Sequence, residues 1–240
     1  MKRKLGFSVL WLIGLAVLIF LLQYPVTTKE AWESWSLPLS GKVIVLDPGH
    51  GGVDGGAVGS DETLEKDIAL STVEKLRDYL QEAGALVYLT REDDRDLAAE
   101  GTKGLSKRKV EDIRKRVQFI QDKEPDLFLS IHLNAIPSSK WSGAQTFYYP
   151  AVGKSEHLAK FIQSEIRRNL DNTTRKAQAI KNVYILKHAK SPGALVEIGF
   201  LSNPHERDLL KTTDYQLKMA GSIYEGILRY ITEEEYPEES

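Results

Sequence analysis

Four side chains in this sequence could do chemistry together: His50, Glu65, His132 and Glu197. Two neutral imidazoles and one carboxylate form a common catalytic zinc set, with the fourth position left for water. A second carboxylate outside the metal shell can take a proton from that water and later return it to a leaving amine. These residue types suit hydrolysis of an amide. The alternative is four separate structural roles, with the histidines satisfied at strand ends and Glu65 solvated where a helix frays. The sequence has no Cys, so a metal site here must use His, Asp or Glu, and a thiolate nucleophile is excluded. A formal net charge of −2 gives no reason to expect a nucleic-acid partner.

The elements that would carry these residues can be read from apolar runs. The stretch Val43–Ala57 begins as a short apolar run, stops at Asp47-Pro48, and continues as His50 set among Gly49, Gly51, Gly52, Gly55 and Gly56. Strands are expected at Lys42–Asp47, Ala85–Thr90, Leu127–Ile131, Ala144–Tyr149, Val183–Leu186 and Ala194–Ile198. A helix is expected from a Thr63 N-cap to Gly84, with the stripe Ala69, Val73, Leu76, Leu80 and Ala83 facing inward. Stepping that stripe back four residues reaches Glu65, an inward carboxylate that calls for a partner. Arg91–Lys109 reads as a charged loop, a functional rim or a mobile segment. Val110, Ile113, Val117 and Ile120 mark a second helix whose Lys and Arg residues read as a solvated face. Leu158, Phe161, Ile162 and Ile166 mark a third, after which residues 170–181 are polar and basic. Asn203-Pro204 predicts an N-cap with Pro at N1, and Thr213-x-x-Gln216 a capping box for the last helix.

Alternating strands and helices predict one α/β domain, with a mostly parallel twisted sheet flanked by helices on both faces. Sites in such sheets form beyond the carboxyl ends of strands. His50, His132 and Glu197 lie at or just past such ends, and Glu65 opens the helix after the first strand. A phosphate cradle is the competing use of the Gly-rich loop, but the Gly-Lys-Ser/Thr ending is missing.

The ends of the chain read differently. Met1-Lys-Arg-Lys4 precedes an uncharged apolar run, Leu5–Leu22, with no small-x-small cleavage site after it. The expectation is a signal anchor over 1–24 with everything from about Tyr24 outside the membrane; the alternative is secretion after cleavage. Residues 25–40, with Trp32 and Trp35, read as a stalk, residues 41–232 as the catalytic domain, and 233–240 as an acidic disordered tail.

At the residues named first the sequence resembles a known family. Leu46-Asp-Pro-Gly-His-Gly-Gly-x-Asp-x-Gly-Ala57, Ser130-Ile-His-Leu-Asn-Ala135 and Leu195-Val-Glu-Ile-Gly-Phe-Leu-Ser-Asn203 look like the three signatures of the zinc-dependent N-acetylmuramoyl-L-alanine amidases, in order, within a resemblance running from about Lys42 to Tyr230. The resemblance implies one Zn²⁺ held by His50, Glu65 and His132, with Glu197 as general base and then acid. It implies cleavage between the lactyl carbonyl of N-acetylmuramic acid and L-alanine, so the partner is a peptidoglycan glycan strand with its peptide stem. The N-terminal run and the Trp35-Ser-Leu-Pro-Leu-Ser-Gly41 approach resemble the germination-specific branch of endospore formers. That implies spore-cortex peptidoglycan and the first step toward muramic-δ-lactam. An activating protein partner is compatible with the sequence and not required by it. Asn134 is open between loop capping and substrate contact, and Asp47 between orienting His50 and ending a strand. Arg175 and Lys176 are expected near the groove rim. His157, His188 and His205 match no motif and read as surface or structural. Only Ile136–Ser142 separates the second motif from the next strand, which leaves no room for the zinc-blocking helix inserted in some family members.

Overall fold

Side chains alternate across a strand, so a strand buried on both faces must be apolar at every position, and the central runs here are. Val43–Pro48 (β1), Leu86–Leu89 (β2), Leu127–Asn134 (β3), Gln145–Tyr148 (β4), Gln178–Ala179 (β5) and Gly193–Phe200 (β6) form one sheet in the order β2-β1-β3-β6-β4-β5. The structure is a computed structural model and describes residues 11–20 and 37–232. Strands β2, β1, β3 and β6 are parallel; β4 runs antiparallel to β6, and β5 is parallel to β4. The sheet is therefore mixed, with a four-stranded parallel half that carries His132 and Glu197.

Helices cover both faces. On one, Val73, Leu76 and Leu80 of Glu65–Glu82 (α1), Leu158, Phe161 and Ile162 of Ser155–Leu170 (α3), and Ala220, Ile223 and Ile227 of Thr213–Ile231 (α6) pack on Ile44, Leu46, Leu129, Ile131 and Val196. On the other, Val117 and Ile120 of Leu105–Lys123 (α2) and Ile185 and Leu186 of Tyr184–His188 (α4) pack on Val45, Phe128 and Leu195. That second face changes character along the strands. Val45 is followed two residues later by Asp47, Phe128 by Ser130 and His132, and Leu195 by Glu197. One sheet face thus turns from core to polar site at its carboxyl edge.

Several local expectations need correction. Val183–Leu186 is not a strand: residues 184–188 form α4, and the edge strand β5 falls in the polar stretch before it. Helix α1 starts at Glu65 behind Leu64, not at a Thr63 cap; the Thr63 hydroxyl donates to Asp61 instead. The first amides of α1, at Glu65 and Lys66, donate to the carbonyls of Ala57 and Gly55, so the Gly-rich loop itself closes the helix start. Asn203 caps Pro204–Leu210 (α5) as expected, whereas α6 is capped by Thr212 and Gln216 is spent on Ser71 and on the Leu210 carbonyl. The 91–104 segment is pinned through Asp94 to Lys66, Asp96 to Arg108, and the Leu97 amide to Asp112. Residues 135–144 hold no helix.

The expected stalk ends before Ser40. Leu39 is fully buried, and its amide donates to the Ala83 carbonyl at 2.9 Å. Residues 11–20 are helical with exposed apolar side chains, and among the described residues no helix is long and apolar enough to cross a membrane. The rest of the expected anchor, the stalk up to Ser36 and the acidic tail lie outside the described residues.

Candidate active site

His50 stands in the loop after β1 with φ +59°, a left-handed conformation that a non-glycine residue adopts only where its surroundings enforce it. Two buried guanidinium groups do the enforcing. Arg116 donates to the carbonyls of Pro48 and His50, and Arg91 to those of Pro48 and Gly49. Three consecutive carbonyls are thereby held. Burial works against the Arg116 charge, but Asp47 and Asp112 outweigh it and raise its pKa. Sequence reasoning missed both arginines. The signal for Arg116 was its place between Ile113 and Ile120 on the inward face of α2, which corrects the reading of that helix's basic residues as solvated.

The His50 ring is oriented by Asp54, whose Oδ2 lies 2.9 Å from Nδ1. Burial alone would raise the Asp54 pKa; hydrogen bonds from Lys109 and His50 outweigh it and keep the carboxyl ionised. An ionised carboxylate only accepts, so His50 donates its Nδ1 proton to Asp54, and its other nitrogen, Nε2, faces Glu65 3.2 Å away. Glu65 comes from the opposite side of the sheet, at the head of α1, and is 2% exposed. Its oxygens accept from the amides of Ala57 (2.6 Å) and Leu133 (2.9 Å). Burial opposes its charge, but hydrogen bonds with His132 and His50 prevail and hold the carboxyl well below the usual range.

His132 is fixed by a second relay. Asp47 is buried and accepts from Thr90, Arg116 and Ser130, at 2.6, 2.7 and 2.6 Å. Ser130 spends its only proton on Asp47, so toward His132 Nε2, 3.1 Å away, it can only accept. His132 therefore donates its Nε2 proton to Ser130, and its other nitrogen, Nδ1, faces Glu65 Oε1 at 2.9 Å. Asp47 thus acts through Ser130 on His132, while the partner of His50 is Asp54, a residue sequence reasoning did not single out although it stands in the first motif.

The result is a convergence of three metal-competent atoms. His50 Nε2, His132 Nδ1 and a Glu65 oxygen lie within 4.8 Å of one another. The Glu65 carboxylate only accepts, so protons or a cation must stand between it and the two imidazole nitrogens. Glu197 sits one strand away, in register with His132 across β3 and β6. Its Oε2 is buried with no hydrogen-bond partner among the described residues. Burial pushes its carboxyl up to about 7, the His132 and His50 charges opposing and the Glu65 charge adding to the rise.

The remaining expected residues spread out. The Asn134 carbonyl accepts from the Leu201 amide, while its side chain makes no hydrogen bond with a described residue. Arg175 donates to the carbonyls of Ser142 and Gly143 beside the end of β6, and Lys176 is exposed. His157 packs on Phe161 and His188 on Tyr184; His205 is exposed. Among the described residues, His50, Glu65 and His132 are the one group of three metal-competent side chains that converge.

Comparison with known proteins fits this geometry. A profile of the N-acetylmuramoyl-L-alanine amidases matches residues 44–229, which include every residue of the site. The chain belongs to this family. The amidase is 57% identical over 239 residues to the germination-specific N-acetylmuramoyl-L-alanine amidase of Bacillus subtilis, covering 100% of both chains. Among solved structures it is similar to the CwlD amidase from Clostridioides difficile in complex with the GerS lipoprotein. The TM-score is 0.79 at 42% identity, over 81% of this chain and 100% of that one. It is also similar to the catalytic domain of CwlV from Bacillus (Paenibacillus) polymyxa, with TM-score 0.70 and 30% identity over 80% and 98% of the two chains. It is therefore a peptidoglycan amidase of the N-acetylmuramoyl-L-alanine class.

Proposed function

We propose that this amidase is a zinc enzyme of the spore cortex. It hydrolyses the amide between the lactyl carbonyl of N-acetylmuramic acid and L-alanine, as the first step toward muramic-δ-lactam. The observation that carries the zinc assignment is the convergence of His50 Nε2, a Glu65 oxygen and His132 Nδ1 within 4.8 Å of one another, each imidazole oriented through its other nitrogen. Two imidazoles and a carboxylate, backed by hydrogen-bonded partners, match the donor set of catalytic zinc sites. Zinc held there supplies Lewis-acid polarisation of the scissile carbonyl and lowers the pKa of water at the site.

The chain's own residues do the rest. Glu197, with an unpartnered buried oxygen and a carboxyl pushed up to about 7, accepts the proton of the attacking water. It then delivers that proton to the departing nitrogen of L-alanine, so that a neutral amine leaves. Asp54 directly, and Asp47 through Ser130, hold the two imidazoles with His50 Nε2 and His132 Nδ1 toward Glu65, and Arg91 and Arg116 hold the loop that presents His50.

The setting rests on the relatives. A germination-specific amidase matches the chain from end to end, which supports spore cortex as substrate. A structural relative in complex with a lipoprotein supports a protein partner, which we read as an activator. The basic N-terminus and apolar run at Leu5–Leu22 support an extracytoplasmic enzyme held by a signal anchor. Cortex peptidoglycan digested by the full chain with and without a zinc chelator tests the reading, with products identified by mass spectrometry. Free stem peptides beginning at L-alanine, lost with the chelator and restored by zinc, are expected. Cleavage between amino acids, or full activity in the chelator, would overturn it.

A further inference from the structure

A cavity of about 500 Å³ opens between residues 141–142 and 171–175, within the size range of small-ligand sites. It lies at the same sheet edge as Glu197. Gln145 is the register partner of Glu197, and Gly143 stands two residues further out on that side. The Arg175 guanidinium lies 5.3 Å from the ring of Phe200, three residues past Glu197 and roughly 10 Å along the strand.

The walls are preformed. Gly143 has φ +88°, and a Cβ there would come within 2.3 Å of the Asn172 carbonyl, so the two segments touch through backbone. Arg175 donates to the carbonyls of Ser142 and Gly143, both at 2.6 Å. Buried Glu206 accepts from the amides of Gly143 and Phe200, tying this wall to the end of β6. Gln163 donates to the Arg175 carbonyl, and Asn172 to the Tyr215 hydroxyl. A site whose walls are fixed in advance loses little freedom on binding.

The lining has a definite chemistry. Trp141 is 53% exposed, with the Arg175 guanidinium 5.8 Å from its ring. Thr173 and Thr174 line it, the Thr173 hydroxyl accepting from the Arg175 amide, and Asn172 lines it with its Oδ1 buried and without a hydrogen-bond partner among the described residues. Arg175 and Asp171 cancel in formal charge. An exposed indole surface beside threonine side chains, without net charge, suits a neutral ring with one C–H face and many hydroxyls. It suits a carboxylate-bearing peptide stem poorly, because Arg175 already spends Nη1 on two carbonyls.

We propose that this cavity is a glycan subsite for the N-acetylhexosamine next to the muramyl residue whose amide is cut. The inference rests on the peptidoglycan-amidase reading and deepens it: the enzyme reads the strand as well as the scissile bond.

The test compares kcat/KM of the full chain on a muramyl-peptide and on a tetrasaccharide bearing one peptide stem. Wild type is expected to prefer the longer substrate by roughly tenfold. Trp141→Ala should bring that ratio close to one, and Trp141→Phe should restore most of it. A peptide-free tetrasaccharide of alternating N-acetylglucosamine and N-acetylmuramic acid, titrated by calorimetry, should bind wild type and bind Trp141→Ala several-fold more weakly. This measurement needs no turnover, so failure of the zinc assignment cannot be mistaken for failure here. An unchanged ratio with unchanged glycan binding would overturn the subsite. So would binding of free stem peptide, rather than glycan, that is lost in Trp141→Ala.

Discussion

At the scale of single residues, the site is a set of protonation states fixed by neighbours. Asp54 and Ser130 decide which nitrogen of each histidine faces Glu65, while burial pushes the Glu197 carboxyl up to about 7. Glu197→Gln keeps the shape and removes the proton carrier. It should lower kcat by about 10²- to 10⁴-fold while zinc stays bound, checked by turnover and metal analysis of the same sample. Wild-type turnover in the variant would remove Glu197 from the mechanism. The same substitution has a signature in stability. In the metal-free fold the Glu197 pKa, about 7, lies above its ordinary value of 4.5. Its neutral form stabilises the fold fully below pH 4.5, and that stabilisation is lost as pH rises through 7. With metal chelated, wild type should lose up to about 3 kcal/mol relative to Glu197→Gln between those limits, measured by denaturant unfolding.

At the scale of elements, the Gly-rich loop and helix α1 form one unit. Loop carbonyls cap the helix, the Ala57 amide binds Glu65, and Gly56 sits at φ +71° against both ligands. A Cβ on Gly56 would lie 2.5 Å from Glu65 Oε2 and 2.6 Å from His50 Cδ2. Gly56→Ala should therefore weaken zinc binding by about 10- to 100-fold, read by chelator competition, while the far-UV spectrum keeps its native form. Unchanged affinity would show that the loop is not what positions the ligands. Much of this unit was legible, because motif residues at strand ends must gather at one edge of a parallel sheet. What stayed hidden was packing. Val183–Leu186 was ambiguous as a short apolar run, and the deciding fact is tertiary: Ile185 and Leu186 both enter one core face, which adjacent residues of a strand cannot do. Strand β5 is exposed and polar, so nothing in its pattern announced the pairing with β4. Arg116 and Arg91 were hidden because charge in a sequence suggests solvent, whereas here backbone carbonyls and carboxylates take the place of water.

At the scale of the molecule, the two core faces and all four residues of the site fall within residues 37–232. Helix α1 brings Glu65 from one face and the strands bring His132 and Glu197 on the other, so the site exists only when both faces are packed. Stability and metal binding should then be lost together. The packed unit should also be separable from the N-terminal segment, with a boundary that the structure makes sharp. Leu39 is fully buried and its amide completes a hydrogen bond to the end of α1. A chain beginning at Leu37 should fold, bind zinc and cleave soluble muropeptides at close to the full-length rate. A chain beginning at Lys42 loses the Leu39 side chain from the core, a deletion expected to cost about 3 to 5 kcal/mol, and should melt many degrees lower. Thermal melting of the two truncated proteins beside the full chain decides the boundary. Equal melting of both would move the domain start to Lys42 and make the burial of Leu39 energetically idle.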